Sequence, residues 1–328
     1  MIEVDMAKGS LAYVSKRQFL NALVCPTQAF FDRSQVGQAL DAASRWRFFE
    51  GNRVGELARR SLGSGRFLQH PSSEIALAES AAAILKGDQT LYEVTISASG
   101  MIARADALVP CEEGWELIEV KSSKMPSSGV AQDDHVDDIA FTICVAQLSG
   151  VRIVRASLML LSREYSLGSS LSIFEKLDVT SVSMARAIEL GKIAPYLVEK
   201  IAGPSRPEPT LKTACNSCDF FAAICIGQGV EDSILRIPRL SEKKLAELHP
   251  CERISALPSS AKLTSNLQLT VDVIKTRTEH YDHAVLAELK NIRWPAFYLD
   301  FETVMPALPW FAGDNAYSVI PTQYSVHA

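Results

Sequence analysis

Alternating apolar and polar positions in the first half of the chain predict the strands around which the rest is organised. Residues 103–109 and 117–123 are rich in apolar and β-branched side chains, and a polar turn at 112–114 separates them. This pattern predicts a hairpin, extended by a third strand over residues 91–97. We therefore expect a β-sheet at the centre of the N-terminal half.

Apolar residues at helical spacing predict helices before and after this hairpin. The expected helices cover residues 16–23, 46–62, 74–85, 133–148 and 181–201, and a further strand covers 151–161. A strand, a helix and a strand in succession indicate a crossover unit on a mixed sheet. The predicted division of the chain is an α/β domain over residues 1–228, a helical linker region over 229–290 and a partial β segment over 291–328.

Composition and charge favour a globular protein whose basic surface is local. The 328 residues include 47% hydrophobic and 22% charged side chains, with no signal-peptide pattern and no apolar run long enough to span a membrane. We therefore expect a cytoplasmic protein without a membrane partner. A net charge of −5 means that nucleic-acid binding would need a basic groove, although a solvated helix face is the equal alternative. Candidates for that groove are Lys16, Arg17, Arg45, Arg47, Arg53, Arg59, Arg60 and Arg66.

Two acids and a lysine in the predicted hairpin suggest a metal site. Because side chains alternate along a strand, Glu119 and Lys121 share one face, and Asp106 would join them if it ends the neighbouring strand. Mg²⁺ and Mn²⁺ bind carboxylate oxygens, and a lysine beside them can stabilise charge on a hydroxide or a phosphate. This chemistry is that of phosphodiester hydrolysis. The alternative interpretation is an ion-pair ladder on an exposed hairpin.

Four cysteines have a spacing that is typical of a metal centre. Cys215, Cys218 and Cys225 form a compact group, and Cys25, at the end of the first predicted helix, is the natural fourth ligand. Thiolates in this number suit zinc or an iron–sulfur cluster, and buried free thiols are the alternative. The remaining cysteines are expected to be buried thiols: Cys111, Cys144 and Cys251.

The order of an aspartate and then Glu-x-Lys on the next strand resembles the PD-(D/E)XK nuclease superfamily. With the cysteines, residues 10–228 are similar to the iron–sulfur RecB-like nucleases, including CRISPR-associated exonucleases and AddB-type nuclease domains. The resemblance implies a restriction-endonuclease-like α/β core with a mixed sheet flanked by helices, a structural [4Fe–4S] cluster, and a Mg²⁺ or Mn²⁺ site acting on DNA. It implies that Asp106 and Glu119 are metal ligands, that Lys121 is catalytic, and that Glu56 is a further ligand.

One position departs from the family pattern. Relatives carry a glutamine on the helix after the lysine strand, and Thr142 takes its place within the segment 138–142. This departure puts the positioning of substrate, and with it full activity, in question.

A second acidic motif lies near the C-terminus. Asp300 and Glu302 alternate with apolar residues on a predicted strand, which resembles the first motif of DnaQ-like (RNase H fold) exonucleases. Those enzymes need further acids downstream, so we expect a truncated segment in which these two residues form at most a weak second site. An edge strand with two surface acids is the alternative. The arrangement as a whole is similar to an uncharacterised bacterial family.

The sequence therefore predicts a metal-dependent DNA nuclease, in particular an exonuclease on single-stranded DNA, and the resemblance implies a helicase or defence-system partner. The alternative is a non-catalytic iron–sulfur module that binds nucleic acid or serves in assembly, and a zinc-stapled interaction domain is a third hypothesis. The residues leave open the choice between DNA and RNA and between cutting from an end and cutting internally.

Overall fold

The computed structural model describes residues 13–33, 41–248 and 252–327. Its centre is a seven-stranded mixed sheet in the order β2-β3-β4-β5-β6-β7, with β1 paired in parallel to β4. The strands are β1 Val14–Ser15, β2 Arg66–Phe67, β3 Leu91–Ala98, β4 Met101–Cys111, β5 Gly114–Lys124, β6 Ile153–Leu161 and β7 Phe174–Asp178. The β4–β5 hairpin is antiparallel, and β6 returns parallel to β5. The predicted hairpin and crossover are thus both confirmed.

Helices flank the sheet, which confirms the predicted α/β class. They are α1 Lys16–Val24, α2 Pro26–Asp32, α3 Ala42–Leu62, α4 Ser73–Lys86, α5 Asp133–Leu148, α6 Thr180–Ala202, α7 Asp219–Ile224, α8 Glu242–Leu248, α9 Ser265–Thr276 and α10 His283–Leu289. Two antiparallel strands follow, β8 Tyr298–Val304 and β9 Ile320–His327. Within the three described ranges, every helix is too short or too polar to cross a membrane.

Helix α1 begins at a capping box that fixes its direction. The Ser15 hydroxyl accepts a hydrogen bond from the Gln18 backbone N–H, and the Gln18 side chain accepts one from the Ser15 N–H in return. Because β1 pairs with β4 immediately before this cap, the first residue of the helix, Lys16, lies beside the hairpin. The buried Phe19 ring then packs on the buried Phe141 ring of α5, with centroids 4.9 Å apart.

Two apolar layers cover the two faces of the sheet. One layer joins the sheet to α1, α5 and α6, and the other joins it to α3 and to the connection between β8 and β9. We call residues 306–317 of this connection the strap. The Glu50 side chain on α3 accepts the Ala307 N–H at 2.7 Å, and the Tyr317 hydroxyl donates to the Ser122 carbonyl oxygen at 2.9 Å. The strap is therefore attached to the sheet domain at both of its ends.

A third apolar cluster lies in the helical region after the cysteines. Its buried members run from Ile234 to Val271, and the partly buried Leu211, Cys215 and Phe221 pack against it. The division of the chain at residues 228 and 290 stays a prediction.

Candidate active site

The hairpin ladder opens where the first predicted ligand lies. Residues of β4 and β5 pair from Cys111 as far as Ala107, which lies opposite Ile118. At the next position a side-chain hydrogen bond takes the place of the backbone pairing. Asp106 Oδ2 accepts the Val120 N–H at 2.7 Å. The expectation that Asp106 ends its strand is wrong, since β4 begins five residues earlier at Met101. A carboxylate inserted between two diverging strands still brings Asp106 next to β5.

Glu119 is buried and paired with two lysines. Its side chain lies on the α5 face of the sheet, and the residue is 3% exposed. Its Oε1 accepts from Lys16 Nζ at 2.8 Å and from Lys121 Nζ at 3.1 Å. Asp138 on α5 contacts both ammonium groups, with its Oδ1 3.1 Å from Lys16 Nζ. The shared face predicted for Glu119 and Lys121 is thus present.

One oxygen of this group is unsatisfied. Glu119 Oε2 is buried and has no hydrogen-bond partner among the described residues. A buried carboxylate oxygen without a partner carries a desolvation penalty on the order of 1–3 kcal/mol. Such an oxygen next to a second carboxylate fits a divalent cation, which takes one or two carboxylates and completes its shell with water and substrate. The donor set formed by Asp106 and Glu119 therefore suits Mg²⁺ or Mn²⁺.

The pKa values of the two carboxylates are shifted in opposite directions. Burial raises the pKa of Asp106 to about 7, and the negative charge of Glu119 adds to the rise, while Lys16 and the Val120 amide oppose it. Burial alone would also raise the pKa of Glu119, but the ammonium groups of Lys16 and Lys121 outweigh it and hold that pKa well below its ordinary value. At neutral pH Glu119 is therefore ionised, whereas Asp106 is only partly ionised.

An Asp106→Asn variant should make the metal-free protein more stable at pH 8 than the parent. The amide keeps an acceptor for the Val120 N–H and removes a buried charge. Because burial raises the folded-state pKa of Asp106 above the ordinary aspartate value of 3.8, its contribution to stability is complete below about pH 4 and is lost as the pH rises through about 7. We expect a gain of several kcal/mol at pH 8 in EDTA and little at pH 4, since each unit of pKa shift is worth about 1.4 kcal/mol. Urea unfolding at the two pH values measures this, and an equal effect at both would contradict the assignment.

Glu56, the third predicted ligand, lies apart from this pair. It is exposed on α3, and its carboxylate is paired with Arg60. Glu56 and Asp106 do line one cavity of about 600 Å³, which we call the α3 cavity. Among the described residues no three His, Cys, Asp or Glu side chains are arranged to hold a metal ion, so Glu56 does not complete a trio with Asp106 and Glu119. Its role as a ligand stays a prediction.

Two residues of the site were not expected there. Lys16 was assigned only to a basic groove, and Asp138 was only part of a helix motif, yet both lie within 3.1 Å of a partner in the site. Thr142, expected in the place of the family glutamine, is fully buried and its hydroxyl donates to the Asp138 carbonyl oxygen. The residue that α5 brings to the site is therefore Asp138, one turn before Thr142.

The predicted cysteine ligands come together from distant parts of the chain. Cys25 lies between α1 and α2, and the other three flank α7. All four line one small cavity of about 20 Å³ together with Phe31, Phe220 and Phe221. Their sulfurs do not form a metal-holding group in the described part of the chain. Cys144 is buried as expected, Cys111 is only half-buried, and Cys251 lies outside the described residues.

The C-terminal acids stand apart from the first site. Asp300 and Glu302 are both exposed on β8, opposite Ser325 and Gln323 of β9. The two-stranded sheet that carries them is separate from the central sheet. Their assignment to a second site stays a prediction.

Comparisons with known proteins give a short family match and distant structural similarities. Residues 297–328 match a family model described as a domain of unknown function (DUF2779). The chain resembles SSO0001 at 13% identity and a TM-score of 0.31, over 67% of this chain and 89% of that one. It also resembles an alkaline exonuclease, LHK-Exo from Laribacter hongkongensis, at 13% identity and a TM-score of 0.31, over 58% and 91%. A structure of LHK-Exo with dAMP gives 14% identity and the same TM-score and coverage. No curated protein sequence matches significantly. Likenesses at this TM-score are too weak to indicate a function.

Proposed function

We propose that the chain is a nuclease that depends on Mg²⁺ or Mn²⁺ and hydrolyses phosphodiester bonds, acting as an exonuclease on single-stranded DNA. The observation that carries the proposal is the buried, unsatisfied Oε2 of Glu119, a carboxylate whose other oxygen contacts two lysines and whose charge raises the pKa of Asp106. An ion-pair ladder on an exposed hairpin would leave no buried oxygen without a partner. A cation-binding oxygen next to lysines is instead what a phosphate-cleaving site requires.

Each residue of the site has a distinct task in this proposal. Asp106 and Glu119 would hold the divalent ion, which neutralises phosphate charge and acidifies an attacking water when bound. Lys121 would donate to the phosphate oxygen on which charge develops. Asp138 fixes the Lys121 ammonium by its direct contact. Lys16 contributes a second positive charge 2.8 Å from Glu119, which keeps that acid ionised.

The decisive experiment is a cleavage assay on end-labelled single-stranded DNA, duplex DNA and RNA. The wild-type protein should shorten single-stranded DNA from an end in Mg²⁺ or Mn²⁺ and should be inactive in EDTA. Asp106→Asn should lower the rate at least 100-fold, since it removes a ligand charge, an effect of about 3 kcal/mol or more on the barrier. Asp88→Asn, an exposed acid in a turn, is the matched control and should keep the wild-type rate. Equal cleavage by Asp106→Asn and wild type would reject the proposal, and so would binding of DNA without turnover.

We further propose that the four cysteines hold a [4Fe–4S] cluster that ties α1 and α2 to the segment around α7. Support comes from four sulfurs lining a single cavity that three aromatic rings also border, with the Phe31 and Phe220 rings in contact at a centroid distance of 5.2 Å. Four thiolates in an apolar pocket suit iron–sulfur ligation, and zinc would also accept them.

Anaerobically purified protein should therefore contain iron and sulfide and absorb near ~400 nm. Cys218→Ser should lose iron and melt at a lower temperature, because the link between the two segments is lost. Cys144→Ser removes a thiol that lies in the core away from the cavity, and it should keep the iron content. A colourless protein that holds zinc, or one that holds no metal, would contradict the cluster.

Cellular context follows from the resemblance alone. We propose a cytoplasmic enzyme that works with a helicase or a defence system, because a nuclease of single strands needs a source of unpaired DNA.

A further inference from the structure

Three aromatic rings form an exposed cluster beside the α3 cavity. Trp46 and Phe49 on α3 have centroids 5.6 Å apart, and Trp310 of the strap meets Trp46 edge-on with centroids 6.2 Å apart. Their exposed fractions are 39%, 52% and 41%. Phe311, beside Trp310 on the strap, is 59% exposed. A contiguous exposed patch of large rings marks an interaction site more often than a random surface.

The cluster is built from two distant parts of the chain that are held in place. Glu50, one residue after Phe49, is 5% exposed and accepts the Ala307 N–H at the start of the strap. The same carboxylate also accepts from Arg53 at 3.2 Å. The buried Leu308 packs in the layer beneath α3, two residues before Trp310. Trp310 therefore stands next to Trp46 because buried contacts fix the backbone on both sides.

Positive charge accompanies the rings. The Arg53 guanidinium lies 5.6 Å from the centroid of the Phe49 ring. Helix α3 carries five arginines and two glutamates, in a chain whose net charge is −5. Both glutamates of α3 are paired with arginines of the same helix, Glu50 with Arg53 and Glu56 with Arg60. The α3 surface is thus locally basic and aromatic, which is complementary to a polyanion with flat bases.

The cluster is continuous with the candidate active site. Phe49 and Arg53 line the α3 cavity, and so do Asp106 and Lys121. A strand that lies across the rings and enters this cavity would therefore reach Asp106 and Lys121.

We propose that Trp46, Phe49 and Trp310 are a stacking platform for the unpaired bases of a single-stranded nucleic acid, with Arg53 contacting its backbone. The inference deepens the proposed function and rests on it for the direction of the strand. Single strands are favoured over duplex because stacking needs a free base face, which a duplex offers only at its ends. The C-terminal strap thereby becomes part of the substrate-binding surface.

Binding of a fluorescein-labelled 20-nucleotide oligo-dT, measured by anisotropy on the full-length protein in EDTA, tests the platform. Phe49→Ala and Trp310→Ala should each weaken binding about fivefold or more, and the double variant should weaken it further. Tyr196→Ala is the matched control, because Tyr196 is 57% exposed and pairs with Lys200 on α6 in the same ring-and-cation arrangement. It should bind as the wild type does. Melting temperatures confirm that the variants are folded.

The outcomes separate this inference from the nuclease proposal, because binding in EDTA needs no cleavage. Loss of oligo-dT binding in the two variants supports the platform even where the wild type cuts nothing. Wild-type binding by both folded variants overturns the platform, even where the nuclease is active. An equal loss in Tyr196→Ala, or an equally weakened affinity for a hairpin duplex without single-stranded ends, also overturns it, since either shows an effect that is not stacking.

Discussion

Lys121→Met should reduce metal-dependent cleavage by a factor on the order of 10³ while leaving the protein folded. The ammonium of Lys121 is placed to meet charge that develops on phosphate, and removal of one such donor commonly costs a factor of 10²–10³. The fold should survive because Glu119 is not left alone. Lys16 Nζ still lies 2.8 Å from its Oε1. The measurement is the single-turnover rate on end-labelled single strands, alongside a thermal melt.

The matched variant is Lys16→Met, because both lysines contact the same two carboxylates and are equally exposed. We expect a smaller effect on rate, since Lys16 acts through the charge of Glu119 and Lys121 acts on the phosphate. A larger loss of rate with Lys16→Met than with Lys121→Met would mean that Lys16, and not Lys121, acts on the phosphate, and would reject the assignment. Lys86→Met, on the exposed end of α4, should match the wild type in both rate and stability.

Local periodicity was sufficient to predict the part of the fold that carries the acids. The α5 bounds were predicted to the residue, and α1, α3, α4 and α6 were found within a few residues, because each has a regular apolar face and a polar or glycine boundary. The hairpin followed from alternation. Strand β7 was not predicted, because its five residues, Phe-Glu-Lys-Leu-Asp, are too few and too irregular in polarity to be distinguished from a loop.

The local sequence pattern could not predict which residues far apart in the chain lie together in the fold. Lys16 and Glu119 are 103 residues apart, and nothing in the α1 sequence distinguishes its one lysine from the next residue, Arg17. The same applies to the strap, which has no periodicity and meets α3 across 257 residues at Glu50. Asp138 was within reach of the sequence argument. It is a charged residue one helical turn before Thr142, on the same side of α5, and it contacts Lys16 and Lys121.

The contact between Phe19 on α1 and Phe141 on α5 explains why Lys16 and Asp138, which those helices carry, lie in the same site. It is also the basis of the second large prediction. Phe141→Ala should destabilise the protein by about 3–5 kcal/mol, because both rings are fully buried and the truncation leaves a cavity between α1 and α5. A loss of this size should lower the melting temperature by roughly 10 °C in a chain of this length. Differential scanning calorimetry measures the change.

Position along the same helix provides the control for this prediction. Leu148→Ala, at the half-exposed end of α5, should cost less than about 1 kcal/mol, because its side chain leaves little buried surface behind. Phe141→Leu should fall between the two, since most of the volume is kept. Folded Phe141→Ala should also cleave more slowly than its stability explains, because α1 and α5 carry Lys16 and Asp138, whose contacts hold the Lys121 ammonium beside Glu119. Melting of Phe141→Ala at the wild-type temperature would mean that the α1–α5 contact does not support the site.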